Sequence, residues 1–344
     1  MRVLFDIVHP ADVLFFKRPA EILKSRGATT HFLSRKKDIA CQLLDKFGFD
    51  HEPITTAGTG LLGLALELLQ RDVRTVLAAR RFRPDVMIGF GGLAISHAGR
   101  ALNIPSISFY DSENATLQTR LTWPFIDSLY VPQSYNGPTP SQRTARIPGT
   151  KELSYLHPSA FSPNRETAIR NGLDPDTDNF FIRVVAWRAN HDIGKSGWDD
   201  ETLRNLIAWL EKRGRVHLST EVPLSGEFER LTYKGSITDV HHLIGHCRLI
   251  VGESATMASE AAILGVPAIY CGRDFPGYIL ELEAAHLLQK ISAEETDSIL
   301  TIVEQTLARP LSNVKTLRDN YVSTRPDWAM AVVEAVERVI EKKA

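Results

Sequence analysis

Short apolar runs alternate with longer amphipathic segments through the first hundred residues. Short apolar runs are typical of buried strands, whereas apolar residues spaced three and four apart indicate helices. Strands that alternate with helices in this way build β-α-β units and a parallel sheet. The pattern predicts strands at 2–7, 29–33, 85–90 and 105–109, and helices at 13–26, 38–48, 61–82 and 93–102.

The second half of the chain repeats this alternation after a break at residues 134–150, which are rich in Pro, Gly, Ser and Thr. Such a stretch is typical of a linker. We predict an α/β protein with a first doubly wound domain at 1–140, a second at 151–325, and a final helix at 326–344 that crosses back to the first. Ligands bind at the carboxyl ends of strands in such sheets, so we expect a site in a cleft between the domains. The predicted strands are 180–187, 216–220, 249–252 and 267–271, and the predicted helices are 200–213, 238–247, 256–264 and 327–343.

Composition excludes several classes of protein. The 344 residues carry 40 Lys and Arg against 41 Asp and Glu, so the basic excess of a nucleic-acid-binding protein is missing. The 3 cysteines lie far apart without a C-x-x-C motif, which excludes a disulfide scaffold and a zinc ribbon. No apolar run is long enough to span a membrane, and the chain starts directly in a predicted strand. We therefore expect a cytoplasmic protein.

The segment 249–269 carries the strongest candidate for a ligand site. A buried strand leads into a turn of small residues that includes Glu253, Ser254, Ala255 and Thr256, and a helix follows at once. The free N–H groups and the dipole at a helix N-terminus favour an anion such as a phosphate. Glu260, one turn into the helix, would accept hydrogen bonds from both ribose hydroxyls. The alternative is an ordinary capped helix without a ligand.

Two residues after the first strand are candidates for a general base. His9 would lie at the carboxyl end of that strand, and its unperturbed pKa near 6.5 suits proton transfer at neutral pH. The alternative is a structural histidine whose ring binds backbone groups of the loop. Asp12 is the second candidate base, or else the N-cap of the following helix.

The ends of two further strands supply candidates on the same side of the predicted sheet. Gly91 and Gly92 would allow a ligand to approach closely, or else form a tight turn from strand to helix. Asp111 and Glu113 end the next strand, where one would orient an acceptor or a sugar and the other would cap a helix after Asn114.

The chain resembles a family of uncharacterised predicted glycosyltransferases, the domain of unknown function 354, over nearly its whole length. The residues 254–269 are also similar to the donor-binding segment of GT-B glycosyltransferases. These include the N-acetylglucosaminyltransferase that makes lipid II, and their relatives include the UDP-N-acetylglucosamine 2-epimerases. The other matching stretches are Asp6-Ile7-x-His9-Pro10 with Phe15-Phe16-Lys17, residues 89–92 and residues 183–194.

The resemblance implies a GT-B fold and a role for each matching residue. Ser254, Ala255 and Thr256 match the loop that receives the donor diphosphate, and Glu260 matches the acid that holds the ribose. Arg183 and Arg188 lie where these enzymes contact the nucleotide, and Arg188 would neutralise the departing diphosphate unless it is only a solvated charge at the edge of a loop.

A departure from the epimerases favours sugar transfer. These relatives carry a catalytic aspartate where this chain has Gly92, which cannot transfer a proton. At Glu253-Ser254 they carry Asp-Ser. The expected activity is therefore transfer from a nucleoside diphosphate sugar, UDP-linked by preference, to a hydroxyl of a glycan or a lipid-linked acceptor. A 2-epimerase or hydrolase, or a nucleotide-sugar-binding protein without turnover, remains the alternative.

We expect neither a metal nor a cofactor, since the nucleotide sugar is a substrate. The D-x-D spacings at 174–178 lie in a Pro/Asp turn, and His242 and His246 lack the carboxylate of an H-E-x-x-H motif. The dinucleotide-binding and P-loop glycine motifs are both missing.

The segment 61–83 combines leucines with arginines and has two interpretations. Its apolar residues beside basic ones would rest on the inner face of an anionic membrane, as in enzymes with lipid-linked acceptors. A helix packed in the core with a solvated arginine face explains the same residues.

Overall fold

Two all-parallel sheets form the centre of the chain in the computed structural model. The structure describes residues 1–36, 39–56, 60–185, 198, 200–220, 226–293, 295 and 298–342. The side chains of Leu61, Leu62, Leu64 and Asp200 and the predicted N-cap Asp38 lie outside this description. The described part of the chain divides into two compact units, the first at Met1–Tyr155 with Pro326–Ala344 and the second at Leu156–Arg325.

The first unit has a seven-stranded sheet in the order β3-β2-β1-β4-β5-β6-β7. Its strands are β1 (Arg2–Ile7), β2 (Thr29–Lys36), β3 (His51–Thr56), β4 (Val86–Phe90), β5 (Ser106–Phe109), β6 (Ser128–Pro132) and β7 (Thr144–Ile147). Its helices are α1 (Pro10–Ser25), α2 (Ala40–Lys46), α3 (Gly60–Phe82), α4 (Leu93–Leu102) and α5 (Thr116–Thr122), and a 3-10 turn follows at Lys151–Ser154. Fully buried aromatic side chains such as Phe5 and Phe32, whose stacked rings lie 4.7 Å apart, fill the core beside β1.

The second unit has a five-stranded sheet in the order β12-β11-β10-β8-β9. Its strands are β8 (Asp178–Val184), β9 (Gly214–Thr220), β10 (Leu249–Gly252), β11 (Ala268–Gly272) and β12 (Leu288–Ser292). Its helices are α6 (Arg165–Arg170), α7 (Asp200–Glu211), α8 (Val240–Ile244), α9 (Ala255–Leu264), α10 (Gly277–Ala284), α11 (Ile299–Ala308) and α12 (Leu311–Ser323), with a second 3-10 turn at Gly226–Leu231.

The carboxy-terminal helix α13 (Trp328–Glu341) belongs to the first unit. Trp328 is fully buried, and its indole N–H donates to the backbone oxygen of Pro148 at 3.0 Å. The Trp328 ring also meets the Phe15 ring edge-on at 6.2 Å, and an Arg18–Asp327 ion pair of 2.6 Å ties the start of α13 to α1. The predicted return of the last helix to the first domain is confirmed by these contacts.

The prediction of a linker at 134–150 is wrong in one respect. Thr144–Ile147 pairs with β6 and forms the edge strand β7 of the first sheet. The strand has only four residues and is mostly half-buried or exposed, so it carries no run of apolar residues that a sequence pattern would reveal.

The cap of the first helix also differs from the prediction. The helix α1 starts at Pro10 with His9 as its N-cap, so Asp12 is the third helical residue and not the N-cap. Likewise, the N-cap of α5 is Ala115, which makes no side-chain cap hydrogen bond, so neither Asp111 nor Glu113 caps that helix.

The helix α3 does not bury all its apolar residues. Leu66, Leu69, Val73 and Leu77 follow a spacing of three and four and remain 54–67% exposed, and we call this surface the α3 face. Arg71 is buried instead, where it pairs with Asp6. The interpretation of 61–83 as a core helix with a solvated arginine face is therefore wrong for these positions.

Charged side chains are buried beside the 3-10 turn of the first unit. Lys151 is 8% exposed and pairs with Asp111 at 2.7 Å, whereas Glu152 is fully buried. In the described part of the chain, neither carboxylate oxygen of Glu152 accepts a well-aligned hydrogen bond. Burial raises the pKa of Glu152 to about 7, although the nearby Lys151 ammonium opposes the rise.

Truncation of Trp328 tests the role of α13 in the first unit. We expect W328A to lower the free energy of unfolding by about 3–5 kcal/mol, because a fully buried indole and its hydrogen bond are lost. Urea denaturation measures the change, and hydrogen exchange locates it in β1 and β4. The control L280A removes a side chain that is 40% exposed and leaves both readouts nearly unchanged. A loss below about 0.5 kcal/mol for W328A would contradict the packing.

A neutral replacement of Glu152 tests its raised pKa. A carboxyl group with a raised pKa in the folded state stabilises the fold below its unfolded pKa near 4.5, and this contribution disappears as the pH rises through about 7. We expect E152Q and wild type to be equally stable near pH 4, and E152Q to be more stable by up to about 3 kcal/mol at pH 8. The exposed Glu21 supplies the control E21Q, which should show no such pH dependence. An equal stability of E152Q and wild type at both pH values would refute the raised pKa.

Candidate functional site

In the first unit, the predicted base candidates lie where the strand order reverses. The chain runs from β1 outward to β2 and β3, and then returns to place β4 on the other side of β1. Ligands of parallel sheets bind at such a switch point, outside the carboxyl ends of the strands. His9 follows β1 and Gly91 follows β4, so both flank this point.

His9 and Asp12 form a reciprocal cap at the start of α1. The His9 Nδ1 atom accepts from the Ala11 N–H at 3.2 Å, and Asp12 Oδ2 accepts from the N–H groups of Val8 and His9 at 2.9 and 2.8 Å. A neutral imidazole that accepts at Nδ1 carries its proton on Nε2. The exposed His9 ring is thus held in the tautomer that donates from Nε2, which disfavours Nε2 as a proton acceptor.

Asp12 has the pKa that proton transfer at neutral pH requires. The side chain is 5% exposed, and its burial raises the pKa to about 7, although the two backbone N–H groups favour the ionised form. A carboxyl group that is half ionised near pH 7 can both take up and release a proton.

Backbone geometry explains the glycine pair after β4. Gly91 and Gly92 have φ values of +79° and +65°, in the left-handed region that favours glycine, and Gly92 is the N-cap of α4. A β-carbon on Gly91 would lie 2.2 Å from Gln118 Nε2. The tight turn from strand to helix is therefore what the structure shows here.

Asp111 and Glu113 follow β5 and contact different residues. Asp111 is 3% exposed, accepts from the Ser112 hydroxyl at 3.1 Å and pairs with Lys151. Glu113 accepts from the Asn136 N–H at 3.3 Å. Asp111 therefore joins the end of β5 to the 3-10 turn after β7, within the carboxyl edge of the first sheet.

Lys151 and Glu152 could not be identified from the sequence. Adjacent lysine and glutamate residues near a Pro-Gly-Thr stretch ordinarily lie in solvent, and no local pattern distinguishes a buried pair. Their burial comes from contacts of the 3-10 turn with α1, such as the 2.6 Å hydrogen bond from the Ser154 hydroxyl to the Phe15 carbonyl oxygen.

In the second unit, the predicted anion-binding site lies at the start of α9. Ser254 is the N-cap, and its Oγ accepts from the Met257 N–H at 3.3 Å. The first intrahelical bond runs from the Ala258 N–H to the Ser254 oxygen, so the N–H groups of Ala255 and Thr256 precede it and have no acceptor within the helix. These first-turn residues are half-buried, whereas residues 258–264 are all buried.

The strand that leads to this anion-binding site, β10, also lies at a switch point. The chain runs from β8 outward to β9 and then returns to β10 on the other side of β8. A β-carbon on Gly252, the last residue of β10, would lie 2.2 Å from the Arg183 backbone oxygen. Only glycine fits this close approach, which brings the start of α9 beside the end of β8.

Glu253 makes backbone contacts that explain its position. Its two carboxylate oxygens accept from the N–H groups of Val185 and Trp198 at 2.8 and 3.0 Å. The carboxylate thus fixes the chain just after β8 and the chain before α7 to the turn that precedes α9.

The two predicted arginines have different outcomes. Arg183 lies in β8, and its Nη1 donates to the Ser219 hydroxyl of β9 at 2.9 Å. Arg188 lies outside the described residues.

Glu260 lies one turn beyond Thr256 on α9 and pairs with a histidine. It is 3% exposed, and its Oε1 atom lies 3.0 Å from Nε2 of His241, which is 6% exposed and belongs to α8. Helical residues four apart share a face, so Glu260 lies on the same face as Thr256. Sequence spacing pointed to His242 and His246 of this region but not to His241.

His242 and His246 make backbone contacts instead of a zinc site. His242 Nδ1 accepts from the Asn164 N–H at 3.0 Å, and the His246 ring binds the His242 carbonyl oxygen at 2.8 Å. Among the described residues, no group of three or more His, Cys, Asp or Glu side chains is placed to hold a metal ion.

Two sequence relatives cover most of the chain. An uncharacterised protein of Methanocaldococcus jannaschii is 21% identical over 329 residues, which are 91% of this chain and 94% of the relative. A Thermus thermophilus enzyme is 25% identical over 260 residues, 73% of each chain. That enzyme is a UDP-N-acetylglucosamine–N-acetylmuramyl-(pentapeptide) pyrophosphoryl-undecaprenol N-acetylglucosamine transferase.

Solved structures match nearly the whole chain. A UDP-GlcNAc 2-epimerase from Neisseria meningitidis, bound to UDP-GlcNAc, superimposes with a TM-score of 0.66 at 12% identity, covering 99% of this chain and 100% of its own. The glycotransferase of kitacinnamycin superimposes with a TM-score of 0.65 at 13% identity, covering 98% and 99%. At such low identity these matches establish the fold.

The model of one protein family, described as a protein of unknown function (DUF354), matches residues 1–155. The resemblance to this family is thereby confirmed for the first unit without its final helix. The chain thus matches the DUF354 family over residues 1–155 and has a glycosyltransferase-like GT-B fold.

Proposed function

We propose that this protein transfers a sugar from a nucleoside diphosphate donor, UDP-linked, to a hydroxyl of a glycan or lipid-linked acceptor. The start of α9 carries the proposal, because two N–H groups without a helical acceptor lie one turn from a buried carboxylate. The sequence relationship to an N-acetylglucosamine transferase supports the same reaction class.

The proposed donor site places the diphosphate at the start of α9 and the ribose beside Glu260, one turn into the helix. The diphosphate binds at the N–H groups of Ala255 and Thr256, where the helix dipole favours negative charge. Glu260 lies four residues beyond Thr256, about 6 Å along the helix axis, a separation that suits ribose hydroxyls when the phosphate is at the helix start. The scheme assigns the charge of the leaving diphosphate to the helix start and to cationic side chains, Arg183 or Arg188, and requires no metal ion.

For the acceptor, Asp12 is the preferred base. Transfer forms a bond between the acceptor oxygen and the anomeric carbon, breaks the bond to the diphosphate and moves the hydroxyl proton to a base. Asp12 has a pKa of about 7, whereas the cap hydrogen bond holds His9 in the tautomer that donates from Nε2. His9 then serves as a hydrogen-bond donor at the same switch point.

An epimerase or a hydrolase of the nucleotide sugar is the second candidate, because the Neisseria meningitidis epimerase has the same fold. Gly92 argues against epimerisation, since a glycine supplies no acid or base beside the sugar. Incubation with UDP-N-acetylglucosamine alone separates the candidates. Formation of an epimer, or of free UDP at a rate that no acceptor increases, would favour the second candidate. Binding without turnover under any condition would leave only a nucleotide-sugar-binding role.

The α3 face supports contact with a membrane surface that carries the acceptor. Its four exposed apolar side chains lie on the same helix as the exposed Arg74, Arg80 and Arg81, a combination that favours an anionic lipid surface. In the described part of the chain, no helix combines the length and the hydropathy of a membrane span. The contact that we propose is peripheral.

An acidic residue at the start of α9 tests the donor site. We expect A255D to leave the fold as stable as wild type, because an acid favours a helix N-terminus, and to weaken UDP binding at least tenfold, about 1.4 kcal/mol, by charge repulsion. Calorimetry measures the affinity, and UDP at 100 times its Kd should stabilise wild type by about 2.7 kcal/mol. The control S312D adds the same charge to the first turn of α12, at an exposed residue. Equal UDP binding by A255D and wild type would exclude the proposed diphosphate site at the start of α9.

Acidic substitutions on the α3 face test the membrane contact. We expect wild type to sediment with phosphatidylglycerol vesicles and the double variant L69E/V73E to lose most of this binding, because two apolar contacts become negative charges. L280E alters a side chain of the second unit that is 40% exposed and should bind as wild type does. Equal sedimentation of the double variant, or no sedimentation of wild type, would refute the contact.

A further inference from the structure

We infer that His241 is the positioning residue of the ribose site, holding the Glu260 carboxylate in the orientation that accepts the ribose hydroxyls. This inference rests on the donor site proposed above. No sequence motif assigns a role to His241, which contacts Glu260 in the structure.

Burial makes a partner for Glu260 necessary. A carboxylate that is only 3% exposed loses most of its hydration, so its ionised form needs hydrogen-bond donors inside the protein. His241 Nε2 lies 3.0 Å from Oε1, a close contact between two buried side chains that is not aligned as a hydrogen bond. The contact restricts the positions that the carboxylate can take.

The two partners come from different helices. Glu260 lies on α9 and His241 on the short helix α8, which ends just before β10. The Phe161 ring meets the His241 ring edge-on with centroids 6.2 Å apart, so the imidazole has packing contacts besides the carboxylate. A buried ring with contacts on two sides restricts the rotation of the carboxylate it binds.

The chemistry of the carboxylate allows it to bind His241 and a ribose together. An ionised carboxylate has about four lone-pair sites, so one donor does not exhaust its capacity. A diol with two adjacent hydroxyls is a bidentate donor, and its recognition depends on the plane of the carboxylate. The side chain that fixes this plane therefore controls selectivity for ribose over deoxyribose.

Selectivity between UDP and 2′-deoxy-UDP separates this role from a purely structural one. A histidine that only held α8 against α9 would change the affinity for both nucleotides by the same factor. We expect wild type to prefer UDP at least tenfold, as befits a hydrogen bond to a charged group, and H241L to reduce the preference to about threefold or less. Calorimetry with each nucleotide measures both affinities.

Two conservative variants keep the test decisive if H241L fails to fold. The amide of H241Q reaches the position of Nε2 and should retain the preference of wild type, whereas the shorter amide of H241N should not. The control H242L removes the neighbouring ring, which accepts from the Asn164 N–H, and should leave the ratio unchanged. In E260Q the preference should be lost, and addition of H241L should lower it no further.

The outcomes distinguish the inference from the function on which it rests. If wild type binds UDP and prefers it over 2′-deoxy-UDP, but H241L and H241N keep that preference, the role of His241 is wrong and the donor site stands. If wild type binds both nucleotides equally, the ribose role of Glu260 is wrong. If wild type binds neither nucleotide, the proposed function fails together with the inference.

Discussion

Parallel strand pairing is the constraint on which both candidate sites depend. All paired strands in the two sheets run in the same direction, so each sheet collects the carboxyl ends of its strands at one edge. The reversal of strand order then separates two neighbouring crossovers and leaves a crevice. His9, Asp12 and Gly91 reach one such edge, and the start of α9 reaches the other, although these residues are far apart in the sequence.

The elements with strong apolar patterns could be predicted from the sequence. The bounds of α4 and β10 agree with the prediction at both ends, and α3 and α9 differ by one residue. Short strands at or near a sheet edge could not be predicted, because β3 and β7 are partly exposed and their pairing with a neighbour, rather than their own composition, makes them strands.

The candidate site was predictable where its chemistry follows a local rule. A helix start with small residues and a carboxylate one turn later can be recognised from spacing, as at Ser254 and Glu260. The burial of His241, Lys151 and Glu152 depends on contacts between distant segments. The residues next to them in the sequence do not indicate that they are buried. The pKa of Asp12 likewise follows from burial, which spacing does not reveal.

The position of Trp328 has a consequence for synthesis on the ribosome. All residues of the second unit precede Trp328 in the chain, so the first unit is complete only after the whole second unit has been synthesised. Until then, the nascent first unit lacks the Trp328 side chain that contacts Phe15, and part of its core remains exposed to solvent. Domains ordinarily fold in the order of their translation, but here the amino-terminal one is the last to be completed.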